Sequence, residues 1–252
     1  MAAIYPDLEG KAVLVTGGAS GIGASIVRAF ATQKAKVGFL DIAREPAAKL
    51  AGEMTSKGSS VHYEYCDLTK IDELRAAIAR VRTRIGPIGV LINNAAHDDR
   101  HTTESVTPEY WDDRIAVNLK HQFFAAQAVL PDMQAARDGA IVNFGSVSWM
   151  IGQGGMAVYT AAKSAILGLT RSLARDYGQY NIRVNAIAPG WIMTERQVEK
   201  WLTPEGEADL IKSQCLKRKL YPGDIAKVVV FLASDEAGAC TSQQYVVDGG
   251  RL

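Results

Sequence analysis

Seven short runs of apolar and β-branched residues recur along the chain, most of them separated from the next by a helix-length stretch. They are Ala12–Thr16, Lys36–Asp41, Val61–Asp67, Val90–Asn93, Ala140–Phe144, Arg183–Ala188 and Tyr245–Asp248. Between them, apolar residues fall at three- and four-residue spacing, as in Leu74, Ile78 and Val81, or Ile115, Leu119, Phe123 and Leu130. Parallel strands cannot be joined by tight turns, so the alternation predicts crossover helices on both faces of a parallel sheet. Consecutive apolar positions in Val13–Val15 and Val90–Ile92 fit strands covered on both sides. No repeat, low-complexity tract or Pro/Gly/Ser linker interrupts the 252 residues, so residues 1–252 are expected to form one α/β domain.

One segment breaks the rhythm. From about residue 190 to 222, after Pro189-Gly190, the chain has helical character but no strand before the next helix, expected at Gly223–Leu232. Excursions at the carboxyl ends of parallel strands build substrate lids; a packing excursion at a subunit contact is the alternative.

Charge narrows the function classes. With 28 basic and 27 acidic side chains the formal charge is +1, which gives no field for nucleic acid or an anionic membrane. The longest apolar stretches are strand-length, and no signal-like segment opens the chain. Cys66, Cys215 and Cys240 are few, odd in number and scattered, which suits free thiols in a reducing cytoplasm.

The first strand runs into Thr16-Gly17-Gly18-Ala19-Ser20-Gly21-Ile22-Gly23, with a helical pattern from Ala24. Glycines in such a turn bring backbone N–H groups against a pyrophosphate at a helix N-terminus, where the dipole favours negative charge. The second strand ends in Asp41, placed to accept both hydroxyls of an adenosine ribose and to repel a 2′-phosphate. No Lys or Arg lies within Gly17–Gly23, so NAD is favoured over NADP, although Arg44 stands three residues beyond the acid. As a strand-end residue, Asp41 also suits a helix cap.

Tyr159 and Lys163 are four apart, on one face of a helix; Ser146 follows the strand Ala140–Phe144, and Asn118 lies in the helix before that strand. A phenol titrates near 10, and lowering that by about three units takes about 4 kcal/mol. A neighbouring ammonium and a positive nicotinamide ring both favour the phenolate.

Together these segments resemble the short-chain dehydrogenase/reductase family over essentially the whole chain. Thr16–Gly23 is similar to its cofactor motif, holding Gly17, Ser20, Gly21, Ile22 and Gly23. Cys66-Asp67-Leu68 resembles the segment whose aspartate holds the adenine amino group, and Asn93-Asn94-Ala95-Ala96 its Asn-Asn-Ala-Gly motif, with Ala96 a departure. Asn118, Ser146, Tyr159 and Lys163 match its catalytic tetrad, and Pro189-Gly190-Trp191-Ile192-Met193-Thr194 its nicotinamide loop. The resemblance implies a Rossmann-type, doubly wound sheet of seven parallel strands, assembled as a homotetramer. It implies that Tyr159 is base in oxidation and acid in reduction, and that Ser146 binds the reacting oxygen. Lys163 would lower the tyrosine pKa and hold the nicotinamide ribose, and Asn118 would anchor a water that carries the proton onward.

A second resemblance addresses the substrate. Asp98-Asp99-Arg100-His101, Tyr110–Ile115, Asn143–Trp149, Arg196–Ala208 and Gln214–Lys217 look like bacterial NAD-dependent aldose 1-dehydrogenases, which oxidise pentoses at the anomeric carbon to lactones. A sugar needs hydrogen-bonding groups and an apolar platform. His97, Ser146, Ser148 and Gln153 offer the first; Trp149, Trp191 and Trp201 offer the second, although tryptophans also serve in cores and interfaces. His97 and His101 flank two aspartates, but without a third ligand cluster no metal is expected. Another dehydrogenase or reductase, for a polyol, hydroxy acid or ketone, is the nearest rival. A catalytically silent NAD-binding scaffold is the rival from a different class.

Overall fold

The computed structural model describes residues 3–252. β1 (Ala12–Thr16), α1 (Gly21–Thr32), β2 (Lys36–Asp41), α2 (Arg44–Ser56), β3 (Val61–Tyr65), α3 (Ile71–Ile85) and β4 (Val90–Asn93) make the first half. α4 (Pro108–Ile115) and α5 (His121–Ala136) precede β5 (Gly139–Phe144), and α6 (Ala157–Tyr177) precedes β6 (Ile182–Pro189). α7 (Glu195–Lys200), α8 (Pro204–Ser213) and α9 (Pro222–Ala233) come before β7 (Gln244–Val247). All seven strands pair in parallel, in the order β3-β2-β1-β4-β5-β6-β7. The order reverses between β1 and β4, which opens a crevice at their carboxyl ends, where this class of sheet binds ligands.

Alternation along each strand feeds two cores. Val13 and Val15 of β1 point to one face with Phe30 of α1 and Val229 of α9. Leu14 points to the other, with Ile78 of α3 and Met133 of α5. Phe30, Leu14 and Ile78 are fully buried, and each such side chain contributes about 1.5–3 kcal/mol. Both faces being covered explains why these strands read as continuous apolar runs.

The seven strands fall where the sequence places them: β1, β2 and β4 match at both ends, and no end of the others moves by more than two residues. β3 stops at Tyr65 rather than Asp67, because the Asp67 carboxylate turns back to accept the backbone N–H and hydroxyl of Thr69, at 3.1 and 2.7 Å. The larger departure lies between α4 and α5, where residues Ala116–Lys120 form a π-helical turn. There Asn118 donates its side-chain amide to the Arg114 carbonyl at 3.0 Å, competing for a backbone acceptor of the helix. The wider turn rotates the start of α5 about its axis, and Phe123, expected in the buried stripe, is 42% exposed.

Candidate active site

The carboxyl end of β1 shapes one side of the crevice. Gly17 has φ +68°, and an added Cβ would lie 2.8 Å from the Ala95 Cα. A Cβ on Gly23 would lie 1.8 Å from the Gly17 carbonyl oxygen, so the first turn of α1 packs against the glycine turn with no room for a side chain. Asn94 ties this turn to β4 by donating to the Thr16 and Gly17 carbonyls at 3.0 and 2.9 Å. Ser20 precedes α1 without capping it through its side chain, so the first N–H groups of the helix face the crevice. Those donors, the helix dipole and the bare glycines fit a pyrophosphate.

Asp41 braces two turns at once. One carboxylate oxygen accepts the Ala19 N–H at 2.8 Å and the other the Ala43 N–H at 2.9 Å, so it holds both the glycine turn and the start of α2. Each oxygen keeps a lone pair for a further donor. Arg44 lies over the Tyr65 ring, 3.5 Å from its centroid, which holds the guanidinium beside β3. Leu68 is buried, and Asp67 is engaged by Thr69.

Beside this cradle is a cavity of about 580 Å³. Ser146, Tyr159 and Lys163 converge on it, with Ile22, Asn94, Pro189, Gly190, Ile192 and Thr194 on its walls. Ser146 sits in extended backbone after β5, and its hydroxyl accepts the Ser148 N–H at 3.1 Å, leaving its own hydrogen free to donate. Lys163 is one helical turn beyond Tyr159 on α6, its ammonium 5.7 Å from the ring centroid. It donates to the Phe144 carbonyl at 2.7 Å and is 1% exposed. Burial pushes the Lys163 ammonium down to about 7, against the opposing pull of the Asp98 carboxylate. Burial and the Asp98 charge push the Tyr159 phenol well above its ordinary value, with the Ser146 hydroxyl acting the other way. Desolvation and the Asp98 charge thus work against the phenolate, so ionising Tyr159 calls for further positive charge beside it.

Asn118 spends its side chain on the chain itself. It accepts the His97 N–H at 2.9 Å and donates to the His97 and Arg114 carbonyls at 3.0 Å each. Its backbone carbonyl accepts from Gln122 at 3.3 Å, and Gln122 also reaches the Phe144 carbonyl that holds Lys163. A buried polar seam therefore runs from the π turn to the lysine. His121, fully buried in the same seam, is pushed down to about 3 by burial and the nearby Lys163 charge, so its ring is neutral.

The residues expected around the substrate divide. Ser146, Ser148, Gln153 and Trp191 line the cavity, and the buried Ser148 hydroxyl has no hydrogen-bond partner among the described residues. His97 and Trp149 do not line it. Asn118 clamps the His97 backbone and turns the ring onto Arg114 and Asp99, while Trp149 lies on the short helical turn capped by Ser146. His101 is held as part of the scaffold. Its Nε2 faces the Val158 N–H at 3.4 Å and its Nδ1 meets the Tyr110 hydroxyl at 3.0 Å. Among the described residues no group of three metal-binding side chains gathers.

The segment after β6 folds over the cavity. Gly190 packs against Asp248, and the excursion is closed at its base by a bridge between Ile192 and Leu220. Thr194 and Thr203 cap α7 and α8 through their hydroxyls. This segment brings in residues that local pattern did not single out for the site: Gln197, Asp209 and Leu210 line the cavity, as does Arg251 from the last strand's tail.

Comparison with known proteins agrees with this geometry. Residues 17–251 match the family described as enoyl-(acyl carrier protein) reductase. The chain is 48% identical over 248 residues to a D-xylose 1-dehydrogenase of Caulobacter vibrioides, covering 98% of each chain. It is 47% identical over 247 residues to a probable galactose dehydrogenase of Rhizobium meliloti, covering 98% of this chain and 96% of that one. A blue fluorescent protein from a metagenomic library, solved in complex with NADPH, superposes with a TM-score of 0.89 at 32% identity, covering 97% of this chain and 99% of the other.

Proposed function

Because the chain belongs to the short-chain dehydrogenase/reductase family and is an oxidoreductase, we propose that it oxidises an aldose, foremost a pentose, at C1 to the aldonolactone with NAD. The observation that carries this reading is the 48% identity to a D-xylose 1-dehydrogenase across 98% of both chains, the cavity-covering segment included. When bound, NAD supplies the acceptor for the hydride leaving C1. Gly17, Ser20, Gly21, Ile22 and Gly23 would hold its pyrophosphate, Asp41 the adenosine ribose, and Asp67, Leu68 and Asn94 the adenosine end. Pro189, Gly190, Ile192 and Thr194 would hold the nicotinamide end, with Tyr159 and Lys163 at its ribose.

The reacting sugar is the cyclic hemiacetal. Ser146 donates its free hydrogen to the C1 oxygen, and Tyr159, ionised when the positive charge of bound NAD is added to that of Lys163, takes the C1 hydroxyl proton as the carbon–hydrogen bond breaks. Lys163 adds positive charge beside the phenol, and the seam formed by Asn118 and Gln122 fixes the carbonyl that holds the lysine. The ring carbon thereby becomes the lactone carbonyl. Ser148 and Gln153 offer further polar contacts to the sugar, and Trp191 offers an apolar ring face.

NAD rather than NADP is supported by Asp41 at the ribose position and by Arg44 being engaged on Tyr65. A homotetramer is supported by family membership and by Trp111 and Phe123 lying exposed on α4 and α5. No helix of the described residues is long and apolar enough to cross a membrane, and three free cysteines favour the cytoplasm.

The experiment is NADH formation with D-xylose, L-arabinose, D-galactose and their methyl glycosides, with products identified by NMR. Free aldoses are expected to give lactones, and the methyl glycosides, lacking a C1 hydroxyl, to give nothing. The second reading, a dehydrogenase for another secondary alcohol or a ketone reductase, is favoured by apolar Ile151, Met156 and Leu210 on the cavity wall. Activity on simple alcohols or ketones with none on any aldose would replace the first reading by the second.

A further inference from the structure

Asp98 is a cavity-lining carboxylate held by the segment that covers the cavity. One oxygen accepts from the Gln197 amide at 2.6 Å and the other from the Arg196 guanidinium at 3.3 Å. Gln197 in turn accepts the Trp191 indole N–H at 2.8 Å, and Arg196 also reaches Asp99 at 2.8 Å. Asp98, Gln197 and Trp191 all face the cavity, whereas Arg196 does not line it. A carboxylate offers about four acceptor sites, and these two contacts leave at least one open on each oxygen. Two such sites on one planar group match two neighbouring hydroxyls of a sugar ring. Asp98 lines the same cavity as Tyr159 and Lys163, so a ligand held at those two groups shares that space with the carboxylate.

We propose that Asp98 is the specificity-determining residue for the sugar, accepting hydrogen bonds from ring hydroxyls other than the one at C1 while it pins the covering segment through Gln197 and Arg196. This rests on the reading of C1 oxidation. The two attachments make one side chain both a hydroxyl acceptor and the anchor of the cover, so the test must separate them.

The test measures kcat and KM for wild type, Asp98→Asn, Asp98→Ser and Arg196→Ala. Substrates are the best aldose of the panel and its analogues deoxygenated at each other ring position. In wild type, at least one deoxy analogue should lose about 10- to 100-fold in kcat/KM, the scale of a hydrogen bond to a charged group. Asp98→Asn and Asp98→Ser should show a comparable loss on the parent sugar and little further loss on that analogue. Arg196→Ala cuts the tie to the cover without touching the sugar and should change all sugars by one common factor. If wild type oxidises the aldose but the Asp98 variants lose the same factor on every analogue, or lose nothing, Asp98 does not read hydroxyls and the C1 reading stands. If wild type oxidises no aldose, both fall together.

Discussion

Residue by residue, the site gathers groups whose ionised form is costly where they stand. Tyr159→Phe removes only the phenolic oxygen, so turnover is expected to fall by at least about 10³-fold while NADH binding, read by its fluorescence, stays close to wild type. Lys163 carries a second expectation. Its ammonium loses its proton at about 7 in the folded protein against 10.5 for an ordinary lysine. The folded state therefore binds fewer protons than the unfolded chain between those values, and stability rises with pH across that window. Below it, folding bears the full cost of a buried charge. Lys163→Met, of similar length, is expected to melt higher than wild type near pH 6, by roughly 4 °C for about 2 kcal/mol, with the gain vanishing above pH 10. A difference independent of pH would mean that the lysine is not strained by burial. Tyr159, Lys163 and Ser146 were legible because spacing on one helix and one strand end carries them. Asp98 and its partners Arg196 and Gln197 lie nearly a hundred residues apart, and no local pattern announces such a pairing.

Among the elements, the β1–α1 turn is the least tolerant part of the fold. Gly23→Ala places a Cβ against the Gly17 carbonyl, which is backbone and cannot step aside. We expect a cost of about 3 kcal/mol or more, a fall in Tm of roughly 6–12 °C, and lost NAD binding. Gly168→Ala is the control: it lies inside α6 with nothing within 4 Å of the new Cβ, and should stabilise by about 0.5–1 kcal/mol. Equal melting of the two variants would mean that the turn repacks freely. Strand positions could be read because apolar runs with helical stretches between them have one parallel-sheet solution. The π turn at Ala116–Lys120 could not. It arises from one side-chain amide taking a helix carbonyl, and Ile115, Leu119 and Phe123 keep a helical spacing straight through it.

Across the molecule, the two cores make the sheet and its helices one cooperative unit, so cofactor binding at the crevice should raise the stability of the entire chain. NAD at a hundred times its Kd should add about 2.7 kcal/mol and raise Tm by roughly 5–10 °C, as followed by scanning fluorimetry. NADP at the same concentration should give a much smaller shift. Asp41→Ala should lower the baseline, because Ala19 and Ala43 lose their acceptors, and bring the two shifts together. Matching shifts in the wild type would remove the case for NAD. The doubly wound architecture was readable end to end, but the walls of the cavity were not. His97 comes directly after the Asn-Asn-Ala segment, a position that points inward by sequence alone, yet Asn118 turns it away.

The bridge between Ile192 and Leu220 has a consequence for engineering. It brings the two ends of the covering segment side by side, with the Met193 N–H donating to the Leu220 carbonyl at 2.8 Å. Topologically the stretch between them is a cassette, entering and leaving the scaffold at a single point. Its hydrogen bonds to the rest of the molecule include those to Asp98, to Asp99 and to the Gly249 and Gly250 carbonyls, so a replacement segment must meet the same partners. Exchange of this segment together with those contacts is expected to carry substrate range from one such scaffold to another.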